Sequence, residues 1–369
     1  MVRLTRAQQQ VRTREAVLAA AKAEFTEHGY AEAKVDRIAE RADLTRGAVY
    51  SNFPSKRALY LAVLIDAVER TPSQVPTTSP PSIAAALGGF ARTWLHRLPL
   101  TAADPMARQV QLSALAPVFD DEPGRGALAQ VSRLEALLLA LTLESRALAA
   151  AEVTVRQVRR AELVLRLLNG PGALVEPALE LGDPFDVADA CEHLGELRLA
   201  DTWAPPHLPH VRPARACRDP WTPPARLPDL LSGRPVGFAD DGVIAVLGTS
   251  RLAAAEEVVR AARQGDQVTI AVVTGDPAET GRLVRLRISD FTHCLRHTFA
   301  PDAWPHLQLV LDDRALVAAA VGAPQADDAT EYAVRVSSGQ LVARAEGRGA
   351  AHAAASADAH HTTPREAAK

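Results

Sequence analysis

Apolar side chains recur at spacings of three and four residues through the first 70 residues, which is the period of helices that bury one face. The pattern predicts a first helix over 8–28, a second from Val35, a third over 45–51 and a fourth over 56–70. Gly29 is placed to end the first helix. Helices of these lengths can form a small bundle with one hydrophobic core.

The stretch from Val35 to Lys56 predicts two short helices joined by a tight turn. Ala42-Asp43-Leu44 interrupts the first of them, and Leu44 is available to fill the core. Thr45 can accept a backbone hydrogen bond as the N-cap of the second helix. Gly47 leaves space where two helices must cross closely. This arrangement is a helix-turn-helix, whose second helix is suited to the major groove of DNA.

Residues from about Arg12 to Leu64 resemble the DNA-binding part of the TetR (tetracycline-repressor) family of transcriptional regulators. The segments AEFTEHGY and IAERADLTRGAVYSNFPSKRALYLAVL carry the matching positions, which are Phe25, Gly29, Tyr30, Ile38, Ala39, Leu44, Gly47, Tyr50, Phe53, Lys56 and Leu59. A lone helix-turn-helix pattern would be weak evidence, whereas this combination at fixed spacing is specific. The resemblance implies a homodimer that binds a double-stranded DNA operator, acts as a repressor and is released by a small-molecule effector.

The resemblance also assigns DNA contacts to the helix-turn-helix and its flanks. The candidate DNA-binding residues are Lys34, Thr45, Arg46, Gly47, Tyr50 and Lys56. Their hydroxyl, guanidinium, phenol and ammonium groups can reach base edges or phosphates. Lys34 departs from the family, which commonly has Ser or Thr there as an N-cap. The alternative interpretations are solvated charge for the cations, a helix cap for Thr45 and a packed ring for Tyr50.

Residues 71–200 predict an all-helical second domain that binds the effector and forms the dimer, as the resemblance implies. Helices are predicted over 82–98, 105–119, 126–148, 154–168 and 186–199. Candidates for an effector pocket are Trp94, Met106, Gln109, Gln111, Phe119 and Arg133, with ordinary core or surface positions as the alternative. Candidates for the dimer interface on the last two helices are Leu163, Leu167, Leu168, Val187, Ala190 and Leu194.

The third part of the chain changes in texture. Residues 201–235 are rich in proline, which predicts an extended linker without continuous helix or sheet. Residues 236–347 predict an α/β domain in the order β-α-β-α-β-α-β-β. Its strands are predicted over 243–247, 268–273, 307–311, 332–336 and 341–345, with helices over 251–264, 279–288 and 314–321 between them. Residues 348–369 are rich in alanine and histidine and predict a disordered tail.

This α/β order, with its final hairpin, resembles the thioredoxin/peroxiredoxin-like fold. The resemblance fails at the chemistry, because Gly248-Thr249-Ser250 stands where such enzymes place a nucleophilic cysteine. Cys294 lies between His293 and His297 without a second cluster of metal ligands, so an incidental cysteine is favoured. We therefore expect a non-catalytic sensor or assembly module, whose removal (236–369) would leave DNA binding intact. The alternative is a thiol redox enzyme or peroxidase fused to a DNA-binding head.

Charge and composition narrow the class of protein. The net charge of the chain is −3, while residues 1–70 hold 12 Lys and Arg against 9 Asp and Glu, a local balance of +3. A basic end on an acidic remainder suits DNA binding at one end. The three cysteines are widely spaced and predict neither a disulfide framework nor a metal site. No signal segment and no apolar run of about 18 residues is visible, so a cytoplasmic protein without a cofactor or membrane partner is expected.

Overall fold

The computed structural model describes residues 5–70, 80–97, 121–145, 155–169, 183–299, 304 and 306–357. Residues 5–70 form a head of four helices, which are α1 (Arg6–Glu32), α2 (Val35–Arg41), α3 (Arg46–Asn52) and α4 (Lys56–Arg70). The predicted cap of α3 is confirmed, because Thr45 Oγ1 accepts from the Ala48 amide at 3.2 Å. Ser55 caps α4 in the same way, since its Oγ accepts from the Ala58 amide at 2.9 Å. The head therefore forms the helix-turn-helix that its sequence predicts.

Four further helices form a body, which are α5 (Ile83–Arg97), α6 (Glu122–Leu143), α7 (Val158–Asn169) and α8 (Pro184–Leu194). The helix predicted over 105–119 lies outside the described residues. In the described part of the chain, α6 is the one helix long and apolar enough to cross a membrane, and 61% of its most apolar window is buried inside the protein. Burial of that extent is expected of the central helix of a packed core.

The rest of the chain forms a sheet domain (215–357). Its strands are β1 (Arg215–Pro220), β2 (Leu227–Pro228), β3 (Pro235–Val236), β4 (Gly242–Gly248), β5 (Gln267–Val273), β6 (Leu307–Leu311), β7 (Glu331–Ser337) and β8 (Gln340–Glu346). Its helices are α9 (Ala254–Ala261), α10 (Thr280–Thr298), α11 (Leu316–Val321) and α12 (Ala350–Ser356). The main sheet has the order β1-β8-β7-β4-β5-β6, with β4, β5 and β6 parallel and the others antiparallel to their neighbours. The predicted alternation of strands and helices is confirmed.

Two segments differ from the sequence prediction. The proline-rich stretch 201–235 contributes β1, which pairs only with β8 and therefore lies at an edge of the sheet. An edge strand tolerates proline because one side of its backbone needs no partner. The stretch 348–369, predicted as a disordered tail, contains α12. Its alanines are buried against α9 and β7, where small side chains allow close approach.

The body and the sheet domain share one hydrophobic core. Side chains of α5, α6 and α7 form a single cluster with those of α10, β4 and β5. Phe291 of α10 packs edge-on against Phe90 and Trp94 of α5, with ring centroids 5.7 and 6.0 Å apart. The body and the sheet domain are therefore not independent units joined only by the extended linker that the sequence predicts.

Helix α10 also packs along α4 of the head. Leu283 and Leu61 are both buried, 1% and 0% exposed, and form a small apolar cluster at this contact. The Arg57 guanidinium of α4 bonds Asp121 at 2.7 Å and Glu279 at 3.1 Å, so it joins the head, the body and the sheet domain. The head is thus in direct contact with the part of the chain farthest from it in sequence.

Candidate DNA-binding interface

Helix α3 presents polar side chains on its exposed face. The guanidinium of Arg46 is 62% exposed, lies 3.3 Å from Asp36 of α2 and sits over the Tyr50 ring at 5.5 Å from the centroid. An ion pair this exposed contributes little to stability, so Arg46 can exchange Asp36 for a phosphate or base at small cost. Thr45 is exposed but its Oγ1 is already used as the cap of α3.

Gly47 is exposed in the first turn of α3, and the reason first given for it is wrong. A Cβ built at Gly47 meets only Thr45 Oγ1, at an ordinary 3.8 Å. Among the described residues no second helix approaches Gly47, so close helix crossing does not require glycine there. An open surface at this point is instead compatible with a close external neighbour.

The two candidate lysines are placed differently. Lys34 is exposed at the start of α2 and makes no side-chain cap, as its departure from the family pattern predicts. Lys56 is half-buried, donates from Nζ to the Ala31 carbonyl at 2.9 Å and lies 4.9 Å from the centroid of the Tyr30 ring. Burial lowers the pKa of Lys56. Lys56 therefore has a role inside the head as well as its predicted phosphate contact.

Sequence reasoning missed Glu24, which is fully buried in the head. Its carboxylate accepts from the Lys34 amide at 3.1 Å and pairs with Arg37 at 2.8 Å and Arg41 at 3.5 Å. These contacts tie α1 to α2 and so position the helix-turn-helix. A signal was present, because Glu24 occupies a core position, seven residues after buried Val17 on the same face of α1.

The two candidate effector residues that the structure describes, Trp94 and Arg133, do not line the same cavity. Trp94 is 3% exposed in the shared core, with Arg287 over its ring at 4.7 Å, so the alternative interpretation as a core residue is correct for it. Arg133 is exposed and lines a cleft of about 670 Å³ between the body and the sheet domain. Met106, Gln109, Gln111 and Phe119 lie outside the described residues.

The candidate dimer residues on α7 and α8 divide by exposure. Leu167 is 38% exposed, while Leu168 is 2% exposed and belongs to the core. Ala190 is exposed, and the remaining three, which are Leu163, Val187 and Leu194, are half-buried. Phe185 at the start of α8 was not among the candidates, although it is 71% exposed.

The three cysteines are free thiols, of which Cys191 and Cys294 are buried and Cys217 is half-buried. Cys294 is fully buried within α10. Burial raises the pKa of the Cys191 thiol to about 12 and also raises the pKa of Cys217. At the end of β4, Thr249 Oγ1 donates to Asp328 at 2.6 Å, so the position of a thioredoxin-type cysteine holds a bonded hydroxyl. In the described part of the chain no three His, Cys, Asp or Glu side chains group around a possible metal position.

Comparison with known proteins shows which family the head resembles. Residues 17–63 match the sequence model of the family described as bacterial regulatory proteins, tetR family, and they span α1 from Val17 through most of α4. This match supports a TetR-family helix-turn-helix and a DNA-binding transcriptional regulator. No curated protein matches the chain. One similar solved structure is described as a candidate TetR-family regulator from Mesorhizobium loti MAFF303099. It is 16% identical over 52% of this chain and 96% of that one, and the TM-score is 0.25, too low to indicate a shared fold.

Proposed function

We propose that the protein is a cytoplasmic transcriptional repressor that binds its operator through α3 and releases it when a small effector binds. The observation that carries the proposal is the helix-turn-helix of 35–52, with Arg46 and Tyr50 on its exposed face, inside the segment matched to TetR-family regulators. A helix so exposed can enter the major groove while neighbouring cations meet phosphates. Repression and release are inferred from the family alone.

Arg46→Ala is expected to weaken operator binding by about 1–3 kcal/mol, which is roughly five- to 150-fold. The reason is the loss of an exposed charged donor on α3, with no change to the core of the head. Fluorescence anisotropy with the DNA upstream of the protein's own gene measures the effect. Arg70→Ala is the matched control, since Arg70 is 74% exposed on the last turn of α4. Equal affinities for the two variants would remove Arg46 from the interface.

We propose a homodimer formed by α7 and α8, because two α3 helices must lie about one DNA turn apart to read a palindromic operator. Two exposed apolar side chains, Leu167 and Phe185, lie on these helices. Arg159 of α7 and Asp186 and Asp189 of α8 are exposed too, which offers charge complementarity if the helices pair across a two-fold axis.

Phe185→Glu is expected to shift the protein from dimer to monomer at micromolar concentration, because it places a charge in a face that must be desolvated. Analytical ultracentrifugation measures the mass. Val11→Glu is the control, since Val11 is 57% exposed on α1, away from the proposed interface. A wild-type monomer, or an unchanged dimer in Phe185→Glu, would contradict this interface.

For the sheet domain we propose a thioredoxin-like scaffold without thiol chemistry. Central β4, with parallel β5 on one side, antiparallel β7 on the other and a closing β7–β8 hairpin, supports the likeness. The hydroxyl of Thr249 at the strand end and the burial of Cys294 favour a non-catalytic role over the redox alternative. Peroxide consumption by the full chain that disappears in Cys294→Ser would contradict it.

We further propose that the sheet domain sets the orientation of the head. Arg282 of α10 donates to the Ala58 carbonyl at 3.1 Å and lies 5.2 Å from the centroid of the Phe53 ring. Arg285 of α10 pairs with Glu69 of α4 at 2.9 Å. A displacement of α10 would therefore be transmitted to α4 and to the helix-turn-helix.

A further inference from the structure

The cleft at the junction of the body and the sheet domain is lined by charged groups that have no partner among the described residues. Arg133 of α6, Arg166 of α7 and Arg348 beside α12 line it, all three are exposed, and within the described residues none has an ion-pair or hydrogen-bond partner. Glu162, four residues before Arg166 on α7, also lines the cleft, and within the described residues it makes no ion pair or hydrogen bond. Within the described residues, the three arginines and Glu162 leave an excess of unpaired positive charge that faces a volume of about 670 Å³. Arg251 and Glu256, which also line the cleft, pair with Glu331 and Arg260.

A buried acceptor lies in the same cleft. Glu257 of α9 is 6% exposed, and its Oε1 lies 3.0 Å from His207 Nε2. In the described part of the chain, its Oε2 has no hydrogen-bond partner, and neither has His207 Nδ1. Buried polar atoms without partners are costly. A ligand that donates to Glu257 would remove that cost.

A short extended segment from Asp201 to His207, here called the strap, borders the cleft. Asp201 bonds the Arg260 guanidinium of α9 at 2.7 Å, and Trp203 packs under the same guanidinium at 4.6 Å. With the His207–Glu257 contact, these interactions hold the strap on α9. The amides at the start of α9 are not free to bind an anion, because the Ala253 amide donates to Gln130 at 3.0 Å and the Ala254 and Ala255 amides donate to backbone carbonyls at 3.0 Å.

We propose that this cleft binds a small dicarboxylate that also carries a hydroxyl or ammonium donor. The arginines would hold two carboxylates, and Glu257 would accept from the donor. Such a ligand would bridge the body, where the proposed dimer face lies, and the sheet domain, which contacts the head through α10. The claim that this ligand is the regulator's effector rests on the proposed function. The claim that the cleft binds the ligand does not.

The test uses the full-length protein with succinate, malate and aspartate, which share a dicarboxylate frame and differ in the donor. Titration calorimetry at constant ionic strength is expected to give binding of malate and aspartate at least tenfold tighter than succinate. Arg133→Ala with Arg348→Ala should weaken malate at least tenfold, which corresponds to about 1.4 kcal/mol. Glu257→Ala, which removes the acceptor, should reduce malate to the level of succinate. Arg226→Ala, at an exposed arginine outside the cleft, should bind malate as wild type does.

Two results would overturn the site: no binding of malate or aspartate, or unchanged binding in the double arginine variant. Operator affinity is measured in the same samples with and without malate. Malate that binds but leaves operator affinity unchanged would overturn the effector role alone. Wild-type protein that binds malate but no operator would instead overturn the proposed function and leave the site in place.

Discussion

Glu24→Ala is expected to lower the stability of the head by about 2–3 kcal/mol, a large fraction of what a small bundle has. The substitution removes a fully buried carboxylate and leaves the Lys34 amide without its acceptor. The loss is smaller than for a fully buried ion pair, because the side chains of Arg37 and Arg41 are 38% and 35% exposed and can be hydrated. Native-state hydrogen exchange of α1 and α2 measures the free energy of opening.

Glu27→Ala is the matched control for this prediction. Glu27 lies on the same helix and also pairs with Arg41, but its side chain is 51% exposed. An exposed pair contributes at most about 1 kcal/mol. Glu24→Gln keeps an acceptor for the Lys34 amide and should fall between the two. If Glu24→Ala opened no more easily than Glu27→Ala, burial of the carboxylate would not be what holds α1 on α2.

Most helices and strands could be predicted, because apolar residues recur in each of them with the period of a helix or a strand. Strand β6 has the predicted bounds, 307–311, since its apolar run is flanked by polar residues. Helix α3 is also determined by nearby residues, because Thr45 caps it and Phe53 fills the core beneath it. Structure that is determined by residues close together in the chain can therefore be predicted from the sequence.

Contacts between distant segments could not be predicted in this way. The sequence pattern ends α10 near Ile288, whereas the helix continues to Thr298 and buries two faces, one in the shared core and one, through Leu283, on the head. Periodicity reports that a face is apolar and does not report what covers it. The cleft is invisible for the same reason, because Arg133, Arg348 and Glu257 come from three separate stretches of the chain.

Deleting residues 236–369 is expected to abolish stable folding of the remaining chain, contrary to the expectation of a removable module. The deletion uncovers side chains of α5 and α6 that are now buried against α10, among them Phe90, Trp94 and Leu138. Each large apolar side chain so exposed costs about 1.5–3 kcal/mol, and four or five of them offset the typical net stability of about 5–15 kcal/mol. Glu135, fully buried in α6, would also lose its 2.7 Å partner Arg287.

Solubility, thermal melting and operator binding of the 1–235 fragment measure this effect. Phe291→Ala in the full chain disturbs the same core less severely. It is expected to lower the free energy of unfolding by about 3–5 kcal/mol, because the fully buried ring of α10 packs against α5. Co-expression of 1–235 with 236–369 should recover a soluble complex, since the same core can form again between two pieces. A 1–235 fragment that melts cooperatively and binds the operator like the full chain would show that the shared core is dispensable. The head would then work without the sheet domain, and the proposed route from the cleft through α10 to α4 would be lost with it.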